Sequence, residues 1–405
     1  MRRQRGRVGL MAAALVGLMV GGGAQAQVTT ERSASILVWP KVISDGTRDT
    51  IIQITNTSNS MVHAHCFYVN GASTDPTLPP DPDSNPPRWV EIDFDIMLTK
   101  QQPTHWVVST GRLFDPEAEA CSETEDFFAC NDAGLNIGRV PPVDEFFTGE
   151  LKCIEVDMSG APVSGNRLKG EATTVALNVC NAEFGECQLS GEECEDNSDC
   201  LDTFDVAKYN ALGIIGNENN NGDNVLCLGG EPSDECEQGA EYDACPQFWI
   251  ANHFAEGAPY PVATDPDAAT VDTAWTIVPC TQNFETQVPE SVTIFIQVWN
   301  EFEQPLSVFA NITCWAELFL DDSQFGTTFD FFTLGSTFAQ SRLRSANQTA
   351  SGFLMVGSEF HAATDGPPTW VSLADVNYHV EGARSGPDII TIPAEQIGGG
   401  AGPTP

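Results

Sequence analysis

The shortness of the apolar runs limits the fold of this chain more than any other feature. Ser35–Ile43, Thr50–Thr55, Met61–Val69, Trp89–Met97, His105–Ser109, Val292–Trp299 and Ser307–Trp315 are rich in β-branched and aromatic residues, and each is stopped by Pro, Gly, Asn or Asp. Such runs are strand-length, and alternation within them puts every second side chain on one face. Helical spacing over ten residues is almost absent; the best stretch, Asp205–Ile214, is short and broken by a glycine. The expectation is an all-β protein with two immunoglobulin-like β-sandwich domains and a disulfide-rich, acidic insertion. The boundaries fall at 27–180, 181–246 and 247–393, with a Gly/Pro-rich flexible tail at 394–405.

The two strand-rich regions echo each other. Ile52-Gln53-Ile54 precedes Asn56 as Ile296-Gln297-Val298 precedes Asn300, and each asparagine leads into a strand ending in cysteine, Cys66 or Cys314. Phe94-Asp95-Ile96 and Phe329-Asp330-Phe331 follow in the same order, then Gly149-Glu150-Leu151 and Gly352-Phe353-Leu354. A duplication would explain the series, and so would strand–turn–strand patterning in two unrelated β-domains. The first copy would carry insertions. One is the loop 71–88, where prolines fix φ and remove donors; another is the segment 112–147, with Cys121 and Cys130 nine residues apart.

Residues 1–26 read as a secretion signal: Arg2, Arg3, Arg5 and Arg7, an apolar run from Val8 to Val20, then small residues ending in Ala24-Gln25-Ala26. The apolar run is shorter than the roughly 20 residues a membrane span needs. Thirteen cysteines in an exported chain imply disulfides with at least one thiol left over, either paired with another chain or buried as a small hydrophobe. Seven of them lie in 180–245 with 17 acidic residues and one lysine, too few apolar groups for a separate core.

The chain holds 57 acidic against 18 basic side chains, a formal charge of −39. Without the four N-terminal arginines the balance is 57 against 14, or −43. Phosphate backbones are repelled by such a field, so nucleic acid is not an expected partner. No integral membrane contact is expected either. A cell-surface polymer, cations or another surface protein fit the charge.

Candidate sites are few. Asn217, Asn219, Asn221 and Asp223 place oxygens at alternate positions around Gly222, like the first half of an EF-hand-type calcium loop. The twelfth position is Leu228 rather than a bidentate glutamate, and an Asn/Gly-rich turn explains the same residues. Calcium is the only cofactor the sequence suggests. His63 and His65 project from one strand face, a spacing that suits a transition metal, while Cys66 faces the other way. Partial burial against a loop would explain the pair equally. Glu91, Asp93 and Asp95 alternate with apolar residues, as an acid/base or cation site would, and as a solvated strand face does. No Gly-x-Ser-x-Gly, His-Glu-x-x-His or phosphate-binding glycine loop is present, and no catalytic residue is assigned.

Tryptophans 89, 106, 249, 275, 299, 315 and 370 offer stacking surfaces for sugars or, more commonly, core packing. Sequons occur at Asn56, Asn311 and Asn347. Together these features point to a secreted, non-catalytic surface, matrix or binding protein. The alternatives are a calcium-dependent adhesion or glycan-binding module, and a secreted hydrolase with dispersed carboxylates.

Overall fold

The computed structural model describes residues 28–75, 85–112, 139–144, 146–177, 180–181, 185–187, 193–195, 197–200, 204–259, 269–346, 351–363 and 370–394. The secretion signal, the flexible tail and the Cys121/Cys130 loop therefore lie outside the described residues. The protein is all-β, and among the described residues its α-helix is a single turn, Phe331–Leu334.

Nine strands build the first half: β1 (Ile36–Ser44), β2 (Arg48–Asn56), β3 (Val62–Asn70), β4 (Val90–Leu98), β5 (Pro103–Val107), β6 (Phe147–Val156), β7 (Leu168–Leu177), β8 (Phe204–Asn210) and β9 (Leu212–Ile214). They pair antiparallel in two sheets, β9-β1-β6-β3-β4 and β8-β7-β2-β5. A tenth strand, β10 (Val225–Leu228), leads to the second half. There the strands are β11 (Pro246–Phe254), β12 (Ala269–Pro279), β13 (Ser291–Asn300), β14 (Pro305–Thr313), β15 (Ala316–Phe319), β16 (Phe338–Ser345), β17 (Phe353–Ala363), β18 (Trp370–Val376) and β19 (His379–Ala383). Their sheets run β19-β11-β16-β13-β14 and β18-β17-β12-β15. Each strand of the second half takes the place of the strand ten numbers earlier, so the two halves share one topology.

The similarity visible in the sequence is one strand out of register with this correspondence. The Ile52 and Ile296 motifs lie on β2 and β13, yet β13 occupies the place of β3. Cys66 and Cys314 are not equivalent either: Cys66 is bonded to Cys153, while Cys314 follows β14 as a buried free thiol. The reason is physical: Ile-x-Ile or Val-Ala-Cys alternation describes any half-buried strand, and only pairing order distinguishes one such strand from the next. The strand order also departs from the seven-strand immunoglobulin scheme. The last strand of each half, β9 or β19, borders β1 or β11, where an immunoglobulin domain places its first.

Residues 205–214, the best helical stretch by sequence, form β8 and β9 instead. Ala207 and Tyr209 alternate inward there, and pairing with β7 decides the conformation over local propensity. The cysteine-rich stretch thus contributes two strands to the first half.

Five disulfides lie among the described residues. Cys66–Cys153 joins β3 to β6, Cys180–Cys194 and Cys187–Cys200 staple the segment before β8, Cys227–Cys236 closes a loop after β10, and Cys245–Cys280 links the starts of the second half.

The two sheets of the first half enclose Leu37, Trp39, Ile52, Ile54, Tyr68 and Leu151. The outer face of the five-stranded sheet is buried too, because Ile36, Val38, Phe67, Val69 and Ile154 pack against the connecting segment and the second half. β10 and β20 (Asp388–Thr391) pair over this face, and Phe284 stacks on Phe67 with ring centroids 4.4 Å apart. Trp315 closes one side of the junction. Its indole donates to the Pro40 carbonyl at 2.8 Å and its side chain lies on Gly71, where a Cβ would come within 2.4 Å of it.

Candidate functional site

The 217–224 loop spends its oxygens on its own backbone. Asn220, Asn221 and Asp223 side-chain oxygens accept the N–H groups of Gly222, Asp223 and Val225, each at 2.8 Å. Asn220 Nδ2 donates to Tyr242 at 2.6 Å, and Glu241 accepts from Asn221 and Cys227. Asn219 reaches outward to the Ala240 carbonyl, and Gly222 supplies the left-handed φ of 74° that the turn requires. Of the four predicted calcium ligands, Asn221 and Asp223 are joined by their own hydrogen bond at 2.8 Å. The arrangement is that of successive Asx turns.

His63 and His65 meet the carboxylates that the sequence displayed separately. β3 pairs with β4 so that His65 lies opposite Asp95 and Phe67 opposite Asp93, which brings Glu91, Asp93 and Asp95 onto the histidine face. Asp95 Oδ1 bonds both rings, at 2.7 Å from His63 Nε2 and 3.1 Å from His65 Nδ1. His65 Nε2 is 3.4 Å from Asp93, and His63 Nδ1 is 3.0 Å from the Asp157 carbonyl. Burial works against a charged His65 ring, but hydrogen bonds to Asp93 and Asp95 outweigh it and hold the group up at about 9. Burial likewise opposes the charge on Asp95, and the two histidines overcome it to hold that carboxyl below the usual carboxylate range. Glu91 goes the other way, raised to about 8 by burial and by the neighbouring Asp93. His63 and His65 thus sit in an ion-paired patch with Asp93 and Asp95. Among the described residues, the groups of three ligand atoms within 4.8 Å of one another are Cys180/Cys194/Cys200 and Cys245/Cys280/Asp388, whose sulfurs are in disulfides.

A second carboxylate group sits between β11 and β12. Glu256 is raised to about 9 by burial, by a hydrogen bond with Asp272, and by the charges of Asp272 and Asp321. Its Oε2 also accepts from the Thr273 N–H at 3.4 Å.

The outer face of β14-β13-β16-β11-β19 has a different chemistry from the corresponding face of the first half. It is open, and phenylalanine dominates it: Phe309 is 57% and Phe338 38% exposed. Phe309 lies against Phe295 at 4.9 Å, and Phe338 meets Phe254 edge-on at 5.3 Å. Arg342 lies 3.7 Å over the Phe248 ring and bonds Glu381 at 3.0 Å, while Arg344 lies 5.0 Å from the Phe295 centroid. Between the rings, Gln340 donates to Asn252 at 3.1 Å, with Trp299 directly opposite Gln340. Trp299, Asn252, Gln340 and Arg342 line a shallow groove of about 690 Å³, together with Glu301 and Glu303.

The sequence directed attention to tryptophan, but Trp39, Trp106, Trp249 and Trp275 are core residues, buried to 2% exposure or less. The exposed rings are phenylalanines at outward positions of the second half, and period-two counting from buried Ile294, Ile296 and Val298 would have found Phe295 and Trp299. Asn56 is fully buried, its amide donating to Ser60, Leu98 and Thr99 carbonyls, so this sequon is a turn residue.

No protein-family model matches the chain, and no curated protein matches it. Among solved structures, a chain of cowpea mosaic virus top component, the naturally occurring empty particle, aligns over 93% of this chain and 100% of its own at 8% identity. Its TM-score is 0.17, and nothing is carried over from it.

Proposed function

We propose that this is a secreted, non-catalytic binding protein that holds a neutral polysaccharide across the outer face of its second five-stranded sheet. The two layers of each half support a β-sandwich reading, a rigid scaffold on which one open face does the binding. Secretion is supported by the N-terminal signal pattern and by five disulfides, which persist in oxidising compartments.

The observation that carries the ligand class is the mixture on that face: exposed rings with amide side chains between them. Sugars present apolar C–H faces and hydroxyl edges, so they stack on rings while amides and guanidinium groups bond the hydroxyls. In a chain with a formal charge of −39, the β-strands of this face carry the ion-paired Glu381 as their outward carboxylate. An anionic polymer would meet repulsion from the rest of the surface, whereas a neutral one would not.

Affinity electrophoresis of the oxidised protein through gels containing neutral glucans, xylans or mannans tests the reading. Retardation by a neutral polymer, relieved in the Phe309→Ala/Phe338→Ala double variant, is the expected result. Equal mobility of both proteins in every polymer would reject it.

A further inference from the structure

The junction between the halves buries a lysine against an aspartate 334 residues away. Lys41 on β1 and Asp375 on β18 both have fully buried side chains, with Nζ 2.8 Å from Oδ1. Ser358 on β17 sits between them, 2.5 Å from Nζ and 2.7 Å from the same Oδ1. Glu317 on β15 is 3.9 Å from Nζ and is held in place by two hydrogen bonds from Arg48, at 2.9 and 3.0 Å. The Phe360 ring lies 5.6 Å from Nζ, and Tyr209 bonds the Lys41 carbonyl at 2.5 Å, closing the site to water. The other carboxylate oxygen, Asp375 Oδ2, is buried without a hydrogen-bond partner among the described residues.

A structural ion pair would account for the first contact but not for that bare oxygen. A buried carboxylate with one unpartnered oxygen is a poor resting state, since each unsatisfied buried polar atom destabilises the fold. We propose that Lys41 and Asp375 condense into an intramolecular amide, a covalent cross-link between the two halves. The step begins with transfer of one Nζ proton to Asp375 Oδ1 along their 2.8 Å hydrogen bond, leaving an amine beside a carboxylic acid. The amine lone pair attacks Cγ, the proton first received by Oδ1 moves across to Oδ2, and Ser358 donates to Oδ1 as the negative charge left there collects. Glu317 takes the second Nζ proton and passes it to the departing oxygen, which leaves as water. The C–N bond replaces one C–O bond; an amine and an acid become an amide and one water, with no oxidant and no cofactor. The oxygen without a partner is the one that departs, so the product has no bare acceptor. Fixed geometry supplies an effective concentration of about 10⁵–10⁸ M for such intramolecular steps.

The test is the intact mass of the full-length oxidised protein after complete reduction, with its N-terminus assigned from a digest. The expected mass is one water below that of the sequence, and the digest contains a branched peptide joining Lys41 to Asp375. A mass accounting for every atom of the sequence, with Lys41 and Asp375 in separate linear peptides, overturns the proposal. Glu317→Gln separates chemistry from packing: the folded variant is expected to keep its water, and a variant cross-linked as fully as the wild type would remove Glu317 from the step. Should that variant not fold, the wild-type mass decides the matter alone.

Discussion

Cys66 and Cys153 stand directly opposite one another on neighbouring strands, Cα atoms 4.0 Å apart, and the disulfide between them ties β3 to β6 within the first five-stranded sheet. It closes 87 residues of chain, against nine for Cys227–Cys236. Loop-closure entropy then predicts about 4–5 kcal/mol for the first bond and about 2–3 kcal/mol for the second. Paired Cys→Ala variants compared by urea unfolding should rank in that order. Equal losses would mean that the unfolded chain is already constrained by its other bridges.

The histidine patch makes stability depend on pH. His65 is held at about 9 in the folded protein and titrates near 6.5 when unfolded. The folded state therefore binds the extra proton, so its contribution is complete below about pH 6.5 and is lost as pH rises through 9. Asp95 is half exposed, so screening lowers the effect, and His65→Gln should cost about 1–2 kcal/mol at pH 6. Thermal melts of wild type and variant should converge by pH 10. A constant gap across that range would assign His65 a packing role only.

Glu256 gives a slope of the same sign for the opposite reason. Its carboxyl keeps a proton up to about pH 9 beside Asp272, whereas the unfolded group releases it near 4.5. Folding is therefore progressively disfavoured between those values. Glu256→Gln imitates the protonated form at every pH, so the variant should match the wild type at pH 4 and exceed it by about 1–3 kcal/mol at pH 9. Melting curves at the two pH values check this.

Gly71 has no room for a side chain. A Cβ there would sit 2.4 Å from that of Trp315, so Gly71→Ala must displace the indole that caps Pro40. A loss of about 1–3 kcal/mol is expected, together with a change in Trp315 fluorescence. The Phe309→Ala/Phe338→Ala pair should instead leave stability within about 1 kcal/mol, because both rings are surface groups.

The strands were legible wherever alternation was strong: the runs at Ser35, Thr50, Met61, Trp89, His105, Val292 and Ser307 each overlap a strand. Register was not legible, and every functional grouping depends on it. His65 and Asp95 are 30 residues apart, and only the pairing of β3 with β4 brings them together. Lys41 and Asp375 carry no sequence signal toward each other at all. At Asn217–Asp223 spacing alone does not choose, since oxygens at alternate positions suit a calcium ion or the loop's own N–H groups alike; three of them accept those N–H groups. A spare thiol was legible as a count, and among the described residues the free thiol is buried Cys314.

The shared topology of the halves has an unequal outcome for matching positions. On β1 the outward residues Ile36 and Val38 are sealed beneath the connecting segment; on β11 the outward Phe248 and Ile250 are only half-buried, with Arg342 lying over the Phe248 ring. One strand order therefore yields two different surfaces, one an internal wall and the other half open to water.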